Sequence, residues 1–422
     1  MDVEYPRFRW YFALVYFLCY TVNGVCMIAP SVIMQPISES LGISLGEASM
    51  ALILTYTGGG IVGGIIGGAI ADRFNLPSVY LVCCALSAVG LVATWMADTS
   101  VALAVAGRLV SGIAGGTPGT LGSKMVAQWF PERQRAVVLG VGAGCLALGT
   151  TIGLLAVSPL FAATLDWNVA VSAVGLPWIA LVLMCLPLFR GKPPAMSAML
   201  DEQNTPAASE LFKRSVRLPV FFIMLLSLWC ASWCMNVYND LTPGNIAVDA
   251  PMGLGYGYII AGQVMSLYSL SFMVGSFLSG AVVHAVFKDR LRPFCVIFFL
   301  VAAVFDGAVL VPFVYDSLTV MRVCLVIGGL SLGLVIPTIP MFIALSFPEQ
   351  VQGRIAGITM GLGFTGGTIG LAVSSALLHF SGNYKLSITT CIVICVVGSL
   401  LAVWLVKPHI SISEQTAGLN ST

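Results

Sequence analysis

The 422-residue chain is 58% hydrophobic and only 9% charged, with a mean hydropathy of +0.97. Soluble domains carry about 25% charged residues, so the chain reads as a polytopic membrane protein. Nineteen Lys and Arg against 18 Asp and Glu leave a net charge of +1, without the clustered cations of a nucleic-acid surface.

Arg7 and Arg9 precede an apolar run of about 25 residues, longer than a signal-peptide core and lacking a small-residue cleavage site. It is expected to stay attached as the first membrane span. At about 20 apolar residues per span, twelve helices are predicted, over 10–35, 46–71, 78–97, 101–128, 136–161, 168–190, 219–243, 256–286, 294–314, 317–346, 353–378 and 385–406. The stretch from Gly191 to Leu218 is polar and proline-bearing, and Pro219 opens helix 7, where its missing N–H costs nothing. The expected organisation is a six-helix bundle over 1–190, a linker over 191–218, a second six-helix bundle over 219–407 and a tail over 408–422. Sixteen Lys and Arg fall on the linker side of this layout and only Lys385 on the other. That asymmetry predicts a plasma (inner) membrane protein with both termini and the linker in the cytoplasm.

The twelve Cys lie singly or in pairs inside apolar runs, and with three His in the chain they argue against a metal centre or a disulfide framework. Glycine-rich runs such as Thr57-Gly58-Gly59-Gly60 lack the Lys-Ser/Thr ending of a phosphate-binding loop, so they read as helix-packing surfaces. No enzyme activity, cofactor or ATP-driven step is expected.

One stretch occurs twice. Phe130-Pro131-Glu132, Gly140, Gly144, Gly149 and Thr151-Ile152-Gly153-Leu154 recur at 347–371 as Phe347-Pro348-Glu349, Gly357, Gly361, Gly366 and Thr368-Ile369-Gly370-Leu371. The offset is constant (347 − 130 = 217), about half the chain. Asn23 and Pro30 of helix 1 match Asn236 and Pro243 of helix 7 at an offset of 213. Six helices per half make these parallel repeats, related by an axis along the membrane normal.

On these residues the sequence resembles the major facilitator superfamily. Gly68-Ala69-Ile70-Ala71-Asp72-Arg73 after helix 2 is similar to the superfamily's Gly-x-x-x-Asp-Arg signature, and Arg108-Leu109-Val110-Ser111-Gly112 in helix 4 to its Arg-x-x-x-Gly motif. The match has gaps. Asn75-Leu76-Pro77 stands where a basic pair is usual, and the second-half copy is reduced to Gly280–His284 with Lys288-Asp289-Arg290 further on. Trp129-Phe130-Pro131-Glu132 resembles the turn of organic-anion carriers, among them the oxalate/formate and monocarboxylate-like branches, and the Gly-Pro pair usual in helix 5 of drug exporters is absent.

The resemblance implies an all-α fold of two pseudo-symmetric six-helix bundles with alternating access about a midplane site. It also implies that Asp72 and Arg73 act in gating, Asp72 capping the start of helix 11 beside Glu349 and Arg354. Glu132, Arg133 and Arg135 with Glu349 and Arg354 are expected to complete a cytoplasmic salt-bridge ring.

Charges within helices carry the chemistry, since each costs about 2.5–3.5 kcal/mol at mid-membrane and needs a partner, water or a task. Arg108 is read either as an anion-binding fork facing the cavity or as a helix-pairing arginine. Arg322 is its nearest counterpart in helix 10. Asp306 in helix 9 either pairs with Arg322 or carries the coupling proton. Asn23, Tyr20, Asn236 and Trp233 are candidates for contacting a substrate from helices 1 and 7, with inter-helix bonding as the competing role of the two asparagines. Asp240 is placed near the outer interface, solvated or gating. The reading is a monomeric secondary transporter in the lipid bilayer that moves a small organic anion by proton coupling or exchange. The alternative is a proton-driven exporter of amphipathic drugs, suggested by Trp229, Trp233, Met265 and Tyr268.

Overall fold

The computed structural model describes residues 6–191 and 206–405, and every element in it is helical. Among the described residues, twelve helices are long and apolar enough to span a membrane. We number them α1 (Arg9–Leu41), α2 (Leu45–Ser49, Met50–Leu54 and Thr55–Arg73), α3 (Leu76–Trp95), α4 (Val101–Trp129), α5 (Glu132–Thr164) and α6 (Trp167–Arg190). The second half comprises α7 (Pro219–Ala247), α8 (Gly257–Ala285), α9 (Leu291–Leu310), α10 (Leu318–Ser346), α11 (Glu349–Ser381) and α12 (Lys385–Ala402). Exposed large apolar side chains such as Ile65, Leu183, Phe313 and Trp404 form the surface that lipid would cover.

Helices α5 and α11 begin four residues earlier than the apolar pattern suggests. Pro131 and Pro348 sit at their N-caps in extended conformation, where a missing N–H costs no helical hydrogen bond. Most of the linker and the tail from residue 408 lie outside the described residues, but Pro206–Val216 forms a helix that packs on α11, with Leu211 and Phe212 set against the apolar core. Pro30 and Pro243 behave differently. Pro30 turns α1 into a 3-10 segment, Ala29–Ile33, whereas α7 runs through Pro243 as one continuous α-helix.

The same helix pairs make the closest contacts in both halves, and glycine makes them possible. On α2, Gly63 meets the Ile113 carbonyl of α4, and in the second half Gly333 of α10 meets the Phe272 carbonyl of α8. The duplicated Gly149 and Gly366 approach the backbones of α1 at Thr21 and α7 at Trp229. Small residues are the usual device for such contacts, because lipid gives no hydrophobic drive between helices.

Two apolar cores result. One lies wholly in the first bundle towards the linker, around Phe12, Tyr16, Tyr80, Trp129 and Trp178. The other runs through the second bundle and on into α1, α2 and α5 at the end opposite the linker.

A Gly63→Leu substitution would drive a side chain into the Ile113 backbone. Overpacking of this kind costs about 1–3 kcal/mol and should lower the melting temperature in detergent. Gly140→Ala, where a Cβ has open space around it, should leave the melting temperature unchanged.

Candidate substrate pathway

Arg108 is 2% exposed and its fork is engaged by backbone. Nε donates to Leu52 O at 2.8 Å, Nη1 to Cys26 O at 2.8 Å and Nη2 to Met27 O at 3.2 Å. The local backbone explains why. Pro30 has no N–H for the Cys26 carbonyl, and the 3-10 turn also withdraws the α-helical partner of Met27. Leu52 sits in the π-turn Met50–Leu54 of α2. The guanidinium therefore ties two irregular turns together, stacked 4.2 Å from the Tyr56 ring centroid. Tyr56 in turn donates to Asn23 Oδ1 at 2.7 Å. Helix pairing thus accounts for three of the five N–H donors of Arg108, and Asn23 is bonded to α2 rather than aimed into open space. Among the described residues, Arg108 forms no ion pair.

The second bundle holds the acids. Asp306 is 1% exposed, its side chain lies against Gly328 of α10, and neither carboxylate oxygen has a protein hydrogen-bond partner. It does not pair with Arg322, whose buried Nε also lacks an acceptor. Of the alternatives for Asp306, pairing with Arg322 is absent here. Tyr238 donates to the Asp306 backbone oxygen at 2.8 Å and so fixes α7 against α9.

Asp240 departs from expectation. It is buried to 1% exposure, both carboxylate oxygens are unpartnered, and it interacts electrostatically with Arg108 across the bundle interface without forming an ion pair. Counting residues from the helix end set Asp240 at the interface, because the pattern ended helix 7 at residue 243. Continuation of α7 to Ala247 moves it inward.

A cavity of about 60 Å³ lies between the bundles, lined by Met27, Thr150, Asn236, Asn239, Ser269 and Phe272 among others. Asn236 donates to Ser232 O at 3.0 Å, and Asn239 bonds Met235 O and Ser269. Among the described residues, its wall contains no carboxylate. Met27, whose carbonyl Arg108 holds, places the guanidinium directly behind it. Neither Tyr20 nor Trp233 lines this cavity. Tyr20 stacks on Tyr16, and Trp233 reaches Thr390 of α12 at 3.4 Å. Sequence reasoning missed Asn239, Ser269 and Phe272 as lining residues, the first though it lies within the polar stretch of α7.

The bundles meet at the end opposite the linker. Ser44 bonds His379 at 2.8 Å, Ser49 bonds Ser375 at 2.8 Å, and Ser158 donates to Tyr258 O at 3.0 Å. Gly46 packs directly on the backbone of α11 at Ser375 and His379. Towards the linker the bundles part, and Gly140 and Gly357 face open space. Arg135 donates to Phe130 O at 3.0 Å, Arg73 is exposed and Arg354 is half-buried. The side chains of Asp72, Glu132, Arg133 and Glu349 lie outside the described residues.

The sequence profile of the Major Facilitator Superfamily matches residues 12–370. The chain belongs to that superfamily. It is therefore a transporter and not an enzyme. It is 22% identical over 420 residues to the 4-hydroxybenzoate transporter PcaK of Acinetobacter baylyi, covering 93% of this chain and 90% of the relative. A segment of 131 residues is 32% identical to "Probable anion transporter 3, chloroplastic" of Oryza sativa subsp. japonica, covering 31% of this chain and 25% of the relative. Two solved superfamily structures share the fold. A bacterial homologue of the human lysosomal transporter Spinster, captured inward-facing and unoccupied, superposes with a TM-score of 0.73 at 14% identity, covering 95% of this chain and 98% of that one. A D-xylose-proton symporter gives 0.72 at 17% identity, covering 94% and 98%.

Removing Arg108 should be severe. Arg108→Leu strands three carbonyls at about 1–3 kcal/mol each and should abolish a folded monomer peak in size-exclusion chromatography. Arg108→Lys, which keeps the charge, should give a folded protein of lower melting temperature. A Ser49→Cys/Ser375→Cys double variant should cross-link α2 to α11 under mild oxidant, seen as a linked peptide by mass spectrometry.

Proposed function

We propose that this superfamily member carries a small organic anion, with aromatic carboxylates the first class to test, in symport with a proton. One observation carries the reading. A buried guanidinium with two N–H groups beyond its carbonyl bonds, and no ion-pair partner among the described residues, stands behind a cavity lined by neutral side chains. A buried cation in a low-dielectric setting attracts an anion strongly. Asn236, Asn239 and Thr150 supply neutral polar atoms for a carboxylate or hydroxyl, and Phe272 and Met27 supply apolar contact for a ring. The match to a 4-hydroxybenzoate transporter along nearly the whole chain supports the same class. The drug-exporter alternative is less well supported, because the described wall of the cavity offers no carboxylate to a cationic compound.

For the coupling step we infer Asp240 ahead of Asp306. Asp240 is the carboxylate that interacts with Arg108 from the opposite bundle, so rocking the bundles changes its surroundings, whereas Asp306 is enclosed within its own bundle against Gly328. The 16-to-1 distribution of Lys and Arg supports a cytoplasmic linker, which makes this conformation inward-open. The gating roles of Asp72, Arg73, Glu132, Arg135, Glu349 and Arg354 belong to the same proposal.

Uptake into proteoliposomes tests it. Radiolabelled 4-hydroxybenzoate should accumulate when an inward proton gradient is imposed, and benzoate should compete where lipophilic cations do not. Asp240→Asn should cut gradient-driven accumulation at least tenfold while substrate counterflow persists. Loss of coupling in Asp306→Asn alone would move the proton site to α9. Competition by lipophilic cations alone would replace the anion reading with the exporter.

A further inference from the structure

A second cavity lies apart from the one between the bundles. About 410 Å³ in volume, it opens at the linker end of the first bundle, where the turn from α2 to α3 (Arg73, Phe74, Asn75) meets the end of α4 (Lys124, Trp129) and the end of α6 (Phe189). Arg73 and Lys124 are the charged side chains among its described wall residues, and Lys124 also takes part in a further interaction within the protein. Trp129, 2% exposed, closes the floor, while Phe74 and Phe189 stand 62% and 48% exposed at the rim. Asn75 commits its Oδ1 to capping α3 through Ser78 N at 2.9 Å, which leaves its amide N–H groups for an acceptor. None of its lining residues lines the cavity between the bundles.

Its position decides what it would hold. Three spans end here, so the cavity lies where the apolar layer gives way to the polar surface. A soluble phosphate would use Arg73 and Lys124 but would leave two large aromatic side chains in water. A phospholipid uses both sets of groups, with its phosphate between the cations and its acyl chains along Phe74 and Phe189. Basic pockets between membrane helices at this depth suit anionic headgroups, and the volume matches that of a small-ligand site. We propose that this cavity binds the headgroup of an anionic phospholipid in the leaflet on the linker side. The lipid is recognised by charge at Arg73 and Lys124 and by apolar contact at Phe74 and Phe189.

The test uses the delipidated full-length protein in detergent, titrated with phosphatidylglycerol, cardiolipin, phosphatidylcholine or inorganic phosphate, with melting temperature and native mass spectrometry as readouts. Phosphatidylglycerol or cardiolipin should raise the melting temperature saturably and remain bound in the mass spectrum, and phosphatidylcholine should do neither. Arg73→Gln and Lys124→Gln should each weaken the apparent affinity about fivefold, as expected for about 1 kcal/mol per basic residue. Phe74→Ser should weaken lipid binding with both cations in place, so the outcome does not hang on the folding of the charge variants. Arg292→Gln, an exposed cation at the same end but outside the cavity, should change nothing. Equal loss in Arg292→Gln would reduce the effect to general surface attraction and overturn the site. Saturable stabilisation by inorganic phosphate, unaffected by Phe74→Ser, would overturn the lipid in favour of a soluble anion.

Discussion

Inside a bilayer every backbone carbonyl must find a donor within the protein, and an unmet one costs several kcal/mol. This chain breaks α1 at Pro30 and winds α2 through a π-turn at Met50–Leu54, and both departures depend on Arg108. The guanidinium meets carbonyls from the two turns at once, and Tyr56 beneath it passes the bracing on to Asn23. Irregular backbone at this depth is tolerated where it is buried in protein or lines a cavity, and here it does both. The charge is held by backbone hydrogen bonds and the Tyr56 ring, with no ion pair among the described residues, so its field acts on whatever enters the cavity next to Met27.

The two halves descend from one pattern but divide the labour. The glycine contacts between α2 and α4 recur between α8 and α10, and those of α5 on α1 recur as α11 on α7. The polar residues have not stayed equivalent. Asn23 is tied to Tyr56, while its counterpart Asn236 lines the cavity. Arg108 braces a broken helix, whereas Arg322 leaves Nε without an acceptor, and α7 needs no comparable brace because it stays helical through Pro243. The first bundle supplies Arg108, and the second supplies Asp240, Asp306 and the two asparagines of the cavity wall, Asn236 and Asn239. Such opposition across the interface lets relative movement of the bundles change the energy of the charges within them.

Much of this was legible in the sequence. Twelve apolar runs gave the helices, the constant offset of 217 between Phe130 and Phe347 gave the two bundles, and Asp72-Arg73 with Arg108 pointed to the superfamily. What escaped was the consequence of a single turn in each case. Arg108 could be read as facing the cavity because the carbonyls freed by Pro30 leave no mark in a hydropathy pattern. Asp240 was set at the surface because a proline three residues later suggested a helix end, while the apolar packing of Leu241 and Ile246 carries the helix onward. Trp233 looked like a substrate contact because helix 7 faces the centre, yet which side of a helix faces inward depends on its rotation, and here α12 takes the indole.

Gly140 and Gly357 hold equivalent places in the two repeats, and in this conformation neither touches anything beyond its own helix. Stability of the state described here gives no reason for glycine at either place, since a larger residue would meet no neighbour. The duplication nevertheless kept both. Selection that acts only on how well this one shape holds together would treat the pair as free to vary, whereas selection on the whole cycle would not, because space left at an open mouth is what allows it to close. The residues that limit how fast such a carrier turns over are then found among those that contribute least to its resting structure.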